Sequence, residues 1–265
     1  MKTLSFKTLT LEVDKQYAVL KFNRPDFRNA YTDEMGLELL DALHELASPA
    51  VRSVVLTGAG NDFSIGFDPL VMKEHLGEAP MLFRKATGYL HQIIAELRRL
   101  PKPVIGAING PAAGTGFSFA LACDFILASE TASFSSSYIN VGLSPDGGLS
   151  YFLTRLVGPQ KCAELVMTGK TISARKALEL GIISGVVPPD KLMEEAQSLA
   201  VYFANGPTLA LGRAKRLIDT ALSHSLEEQL EEERQSIIEI STSNDFKEGL
   251  NAYVNKKGKP NFGGR

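Results

Sequence analysis

Three stretches of this chain carry residue types and spacings suited to chemistry. They are Asn61-Asp62-Phe63-Ser64-Ile65-Gly66-Phe67-Asp68, Asn109-Gly110-Pro111-Ala112-Ala113-Gly114-Thr115-Gly116 and Asn140-Val141-Gly142-Leu143-Ser144-Pro145-Asp146-Gly147-Gly148. Each follows a predicted strand and opens a predicted helix, an arrangement that aims backbone N–H groups beyond the strand end. Glycines in the second loop let its backbone approach a ligand oxygen closely, although a tight turn alone would use the same residues. No Gly-Lys-Ser/Thr follows, which excludes a nucleoside-triphosphate loop. Phe119 stands where a dinucleotide fingerprint needs its third glycine. The third loop adds Asp146 between a proline and two glycines, and on local evidence alone that is a helix N-cap. Together the loops offer two amide donors and one carboxylate. No nucleophile–base pair is visible, and His44, His75, His91 and His224 show no metal-ligand spacing. Of the histidines, only His91 is kept as a site candidate.

The elements that must position these loops alternate. Tyr17 to Phe22 suits a strand, ended by the turn cluster Asn23-Arg24-Pro25-Asp26. Tyr31-Thr32-Asp33-Glu34 caps a helix whose apolar stripe includes Met35, Leu39, Leu43 and Leu46. Val51 to Leu56 is a buried strand. Pro80 to Leu100 is a long helix, stopped by Pro101-Lys102-Pro103. Val104 to Ile108 and Phe125 to Ala128 are further strands, with a short helix around Phe117 to Ala122 between them. Such alternation predicts an α/β core with buried strands. From Asp190 the pattern turns all-helical, over 190–204, 208–222, 226–241 and 244–255. The acidic run from Glu227 to Glu233 suits a solvated helix face near the positive end of the helix dipole, or else a partner surface.

Composition bounds the partners. Over 265 residues, 28 Lys and Arg against 30 Asp and Glu leave a net charge of −2. That balance argues against nucleic acid or an anionic membrane as the partner, since either asks for a basic excess. The 44% apolar and 22% charged content is that of a globular chain with a sizeable core. Cys123 and Cys162 form neither a disulfide framework nor a zinc set, and read as small hydrophobes in a reducing compartment. The N-terminus carries no secretory pattern, and Pro103 to Ala128 is too broken to span a bilayer. The expectation is a soluble, cytoplasmic protein.

The motifs, taken in order, resemble one family. Asn23-Arg24-Pro25 with Arg28-Asn29-Ala30, Phe63 to Asp68, Lys102-Pro103-Val104-Ile105-Gly106-Ala107-Ile108-Asn109-Gly110 with Gly114 and Gly116, Ala122-Cys123-Asp124-Phe125, Gly142-Leu143-Ser144-Pro145 and Thr168 to Ala174 are similar to the enoyl-CoA hydratase/isomerase (crotonase) superfamily, over essentially the whole chain. The resemblance implies a spiral of β-β-α units at 1–200 holding an acyl-CoA site, and a helical oligomerisation region at 201–265. It implies a trimer or a dimer of trimers. It implies no metal or redox cofactor, with coenzyme A arriving as part of an acyl-CoA thioester substrate.

Residue by residue, the likeness gives Phe67 N–H and Thr115 N–H the task of holding the thioester oxygen. Removing one such donor typically costs about 3–4 kcal/mol of barrier. Thr115 stands where a glycine is usual, and a β-branched residue resists positive φ. The family's hydratases add water with two glutamates, at the positions of Ser118 and Tyr138 here. Neither replacement is a base near neutral pH. Asp146 then becomes the acid or base of a double-bond shift, its pKa raised by burial against Phe67, Tyr138 and Tyr151. Ser64, Gly66, Asp68, Leu70, Pro145 and His91 are implied to line the acyl-CoA site, together with Ser118 and Tyr138. Arg28 and Ala30 are implied to run along the adenine and pantetheine. Tyr253 and Lys256 would reach the CoA of a neighbouring subunit, although Lys256 equally suits a solvated tail. Two alternatives stand beside the isomerase. One is an aryl-CoA hydrolase or dehalogenase using Asp146 as nucleophile and His91 to activate water, a branch with Trp at position 138 where this Trp-free chain has Tyr. The other is a non-catalytic acyl-CoA-binding or scaffold member.

Overall fold

The computed structural model describes residues 2–256 and 258–265. Its first half comprises β1 (Lys2–Ser5), β2 (Leu9–Asp14), β3 (Tyr17–Phe22), α1 (Asp33–Leu46), β4 (Ser53–Gly58), α2 (Pro69–Glu74), α3 (Ala79–Arg99) and β5 (Val104–Ile108). Then come β6 (Ala112–Ala113), α4 (Thr115–Leu121), β7 (Phe125–Ser129), β8 (Ser133–Ser135), α5 (Leu149–Thr168), β9 (Ile172–Ser173), α6 (Ala174–Glu179) and β10 (Gly185–Val187). Four helices close the chain: α7 (Leu192–Ala204), α8 (Thr208–Thr220), α9 (Leu226–Ile240) and α10 (Asn244–Val254).

The larger sheet runs in the order β1-β2-β3-β4-β5-β7-β10. Its first three strands are antiparallel, and β3 through β10 are parallel. The central strands β4 and β5 are buried on both faces, which explains their unbroken apolar runs. On one face lie α1 and α3. Thr32 caps α1 by accepting from Met35 N, and Met35, Leu39, Leu43 and Leu46 are all buried, as the stripe predicts. On the other face Leu192, Ala196, Ala200 and Phe203 of α7 meet Val19, Val55, Ile105 and Ala107. Helix α7 therefore continues the core across position 200. A small second sheet, β6-β8-β9, sits where the chain turns around α4.

The sequence reading begins its strands at Tyr17, but the structure places β1 and β2 before it. The strands of the small sheet are two or three residues long, too short to carry a period. Lys102, the helix stop, is buried and donates to Leu46 O at 2.7 Å, Ser48 O at 2.9 Å and Val51 O at 2.6 Å. Burial pushes its ammonium down to about 8 while it closes the end of α1. Among the described residues, no helix is long and apolar enough to cross a membrane.

Glycines decide how closely the strand-end loops approach one another. A Cβ on Gly110 would lie 1.9 Å from Asn61 O, a backbone atom that cannot move aside alone. Gly88, on the exposed side of α3, has open space around it. Gly110→Ala is expected to destabilise the fold by roughly 2–4 kcal/mol. Gly88→Ala should leave stability unchanged or raise it by up to about 1 kcal/mol. Urea titration of the two variants checks both signs.

Candidate active site

The first loop is hung from its neighbours by backbone bonds. Tyr31 N donates to Gly66 O at 2.7 Å, and Asp68 N donates to Tyr31 O at 2.9 Å. This isolated parallel bridge pairs Tyr31 with Phe67, so the N–H of Phe67 faces away from Tyr31. The same loop is zipped to the second one. Phe63 N and Ser64 N donate to Pro111 O, and Ala113 N donates to Ser64 O. Gly66 has φ +90°, and a Cβ there would sit 2.8 Å from Ala113 O and 3.0 Å from Thr115 N. A Cβ on Gly116 would sit 2.1 Å from Ser64 O. Only hydrogen-sized side chains allow the two loops to meet.

Thr115 is the first residue of α4, so its amide is one of the donors a helix leaves unpaired at its start. Positive φ is required one residue earlier, at Gly114 (φ +53°), and Thr115 keeps ordinary helical geometry. A β-branched residue is therefore compatible with the turn. Two amides, Phe67 N–H and Thr115 N–H, lie on adjoining loops, and among the described residues no protein acceptor takes either of them. An oxygen that gains negative charge during a reaction is what such a pair suits.

Asp146 lies next to this pair, and it is not a helix cap. Helix α5 begins at Leu149 with Gly148 at the N-cap and no side-chain cap bond. Instead the Asp146 carboxylate accepts from Tyr138 Oη at 2.5 Å. Ser118, one turn into α4 from Thr115, donates its hydroxyl to the Asp146 main-chain oxygen at 3.0 Å. Tyr138 is buried, and its ring carbon Cζ would lie 3.8 Å from a Cβ on Gly114. The phenol thus touches both the carboxylate and the turn carrying the second amide. Burial raises the Asp146 pKa above the ordinary carboxylate range, while the Tyr138 hydrogen bond, the charge of His91 and the Thr115 hydroxyl pull it back. Burial and the Asp146 charge push the Tyr138 phenol well above its usual value, so it stays protonated and acts as a donor.

The remaining candidates divide. His91 lies exposed on α3, within reach of Asp146 by its charge. Phe67 packs its ring on Tyr31 at 6.0 Å and Phe83 at 5.7 Å, forming an aromatic wall. Phe83 went unremarked in the sequence because it belongs to no loop motif, and Tyr31 was read only as part of a helix start. Tyr151 is not part of the wall: it is 46% exposed and stacks under Arg155 at 3.4 Å. Ser64 and Asp68 turn inward. The Ser64 hydroxyl donates to Asn29 O at 2.8 Å. Asp68 accepts from Leu70 N at 3.0 Å, capping α2, and pairs with the Arg24 guanidinium at 3.1 Å. These two side chains hold the loops rather than face a ligand. Leu70 is exposed, and Pro145 is half-buried beside Asp146. Arg28 has φ +53° and pairs with Asp62 at 2.7 Å, next to buried Ala30. Tyr253 and Lys256 are exposed at the end of α10, and within the chain no hydrogen bond or ion pair among the described residues ties them to this site. A cavity of about 1030 Å³ opens behind the Asp146 loop, between α3, α5 and α8, and meets the site only at His91, Gly147 and Gly148.

Paired amides at the ends of parallel strands, with a half-buried carboxylate beside them, define a class of site for carbonyl substrates whose oxygen becomes anionic. The model of the enoyl-CoA hydratase/isomerase family matches residues 12–265, and the chain belongs to that family. It is an acyl-CoA enzyme with the crotonase fold. Among its relatives, the 1,2-epoxyphenylacetyl-CoA isomerase of Escherichia coli K12 is 35% identical over 96% of this chain and 97% of that protein. A 4-chlorobenzoyl coenzyme A dehalogenase of an Arthrobacter species is 33% identical, over 97% and 94% respectively. An enoyl-CoA hydratase from Polaromonas sp. JS666 superposes with a TM-score of 0.92 at 36% identity, covering 96% of this chain and 99% of that one.

A site-resolved carboxyl titration by NMR is expected to place Asp146 above the exposed aspartates of the same chain, because desolvation is the largest influence on it.

Proposed function

We propose that the protein moves a carbon–carbon double bond within an acyl-CoA thioester. The simplest case is a 3-enoyl to 2-enoyl shift; isomerisation of a ring-bearing acyl group uses the same chemistry. The observation that carries this reading is the count of carboxylates. Neither hydratase-glutamate position carries a carboxylate: they hold Ser118 and Tyr138, which donate to the main-chain oxygen and to the carboxylate of Asp146. Water addition by the usual route needs two carboxylates. Moving a double bond needs one, working in turn as base and acid.

In the proposed reaction the thioester oxygen accepts from Phe67 N–H and Thr115 N–H. Asp146 removes a proton from the α carbon, and the electron pair spreads over the dienolate, whose oxygen charge the two amides hold. Asp146 then returns the proton to the γ carbon, leaving the double bond between α and β carbons. Phe67 and Phe83, backed by the fully buried Tyr31, suit an apolar acyl group. Arg28 and Ala30 lie on the loop proposed to follow the CoA. The reading needs no cofactor beyond the CoA of the substrate.

Copies are further proposed to associate through the C-terminal helices, as a trimer or a dimer of trimers in the cytoplasm. Leu226, Leu230 and Ile237 form an exposed apolar row along α9, a length of surface that a lone chain would leave in water. Tyr253 and Lys256 would then be offered to the CoA of the next subunit. Light scattering of the purified chain should give a multiple of three, and charged substitutions at Leu230 and Ile237 should lower it.

Asp146→Asn is expected to cut isomerase turnover by roughly 100- to 10,000-fold with little change in substrate binding. With a panel of enoyl-CoA thioesters in heavy water, the wild type should place deuterium at the α or γ carbon and form no 3-hydroxyacyl product. Hydration at a comparable rate, or full activity in the variant, would refute the reading. Turnover should fall with decreasing pH at a higher pH than an exposed aspartate would set, since Asp146 must be ionised to act as base.

A second reading rests on His91, which lies near Asp146. Asp146 would add to a halogen-bearing ring carbon of an aryl-CoA and expel halide, leaving an aryl ester, and neutral His91 would take a proton from the water that hydrolyses the ester and restores the Asp146 carboxylate. Halide release from 4-halobenzoyl-CoA is its test.

A further inference from the structure

We propose that Tyr138 is a positioning residue that gives the two carboxylate oxygens of Asp146 separate tasks, holding Oδ1 still and leaving Oδ2 as the single proton carrier. This rests on the reading of Asp146 as the acid and base.

The geometry is one-sided. Tyr138 Oη donates to Oδ1 at 2.5 Å, the closest side-chain contact to the carboxylate, while the Thr115 hydroxyl faces the same group more loosely. A free aspartate can rotate about its last bond and present either oxygen. Here the rotation is blocked, because the phenol is itself immobile. It sits in a short turn, Tyr138–Val141, entered through Ser137 at φ +47° and left through Gly142 at φ +74°. Its ring is buried beside Gly114, and its oxygen lies 3.4 Å from Ser118 Oγ. Ser118 also holds the main-chain oxygen of Asp146. The aspartate is therefore fixed at both ends by residues that read the same helix, α4, on which the Thr115 amide is displayed. Any displacement of α4 moves the amide and the carboxylate together.

The groups facing Asp146 are Tyr138 from its own loop region, Thr115 from the start of α4, His91 from α3 and, at longer range, Tyr31. Of these, Tyr138 makes the short hydrogen bond and pulls hardest toward the anion. An O–H donated to a carboxylate stabilises the anion more than the acid. Its removal should make Asp146 easier to protonate and free its side chain to turn. A single accessible oxygen also confines both proton transfers to one face of the dienolate.

The test is Tyr138→Phe, which keeps the ring and deletes the donor. At neutral pH, kcat for enoyl-CoA isomerisation is expected to fall on the order of ten- to a hundredfold, the usual consequence of losing a hydrogen bond to a charged group. KM should stay within about twofold, since the substrate-holding amides are untouched. The acid limb of the kcat profile should move to higher pH. A folded variant with wild-type kcat and an unmoved acid limb would overturn the proposal. Should Tyr138→Phe fail to fold, 3-fluorotyrosine at position 138 keeps the packing and supplies a more acidic phenol. It should move the acid limb to lower pH, and an unmoved limb would again overturn the proposal. Asp146→Asn separates this inference from the one beneath it. If that variant is fully active, the base assignment itself fails. If it is inactive while Tyr138→Phe is unaffected, the base assignment stands and the positioning role falls.

Discussion

The site depends on a backbone-to-backbone contact. Residues 61–66 and 110–116 approach so closely that Ser64 O, Ala113 O and Asn61 O fill the places where side chains would begin on Gly116, Gly66 and Gly110. Backbone groups position ligands more rigidly than side chains, because no rotamer separates the donor from the scaffold. The contact sets the distance between two amides that belong to loops far apart in sequence. Arg24, Asn29 and Asp68 brace it from outside. Asn29 donates to Ala59 O and Asp62 O, and Arg24 joins Ala30 O to the Asp68 carboxylate. These polar groups are largely buried and satisfied, so the loops resist distortion when charge develops beside them.

Electrostatics at Asp146 balances two opposed influences. Burial favours the neutral acid, and three neighbours favour the anion. A carboxylate poised this way is a better proton carrier than an exposed one, whose conjugate acid would give its proton back to water too readily. Ser118 and Tyr138 beside Asp146 are hydroxyl-bearing residues, and hydroxyls add hydrogen bonds without adding charge. A neighbouring glutamate would have repelled Asp146 and driven its proton affinity higher still.

The C-terminal helices join the core through buried charge as well as apolar contact. Lys215 on α8 pairs with Asp124 at 2.8 Å, and Arg98 on α3 bridges Asp124 and Asp219. The tail returns to the start of central strand β4, where Arg52 donates to Phe262 O, and Asp245 accepts from Gly263 N and Gly264 N. Such groups are costly to bury unless each finds its partner, so they specify one docking of the helices. The apolar rows of α9 and α10 remain uncovered in the single chain.

From the sequence alone came the alternation of strand and helix, the apolar stripe of α1, the four closing helices and the loops that bear the site. Those follow from local rules: periodicity, caps, and the backbone freedom of glycine. The short strands of the second sheet stayed hidden because two-residue pairings carry no pattern. At Asp146 the local pattern was ambiguous, since Pro-Asp-Gly-Gly before a helix is also a good cap, and it was the family resemblance that pointed to an acid or base there. Only the tertiary structure brought Tyr138 onto its carboxylate and Ser118 onto its carbonyl, and turned the side chains of Ser64 and Asp68 away into the loops. Hydrogen bonding between residues 28 positions apart in sequence is set by how β8 and α4 pack, and no local propensity encodes that distance.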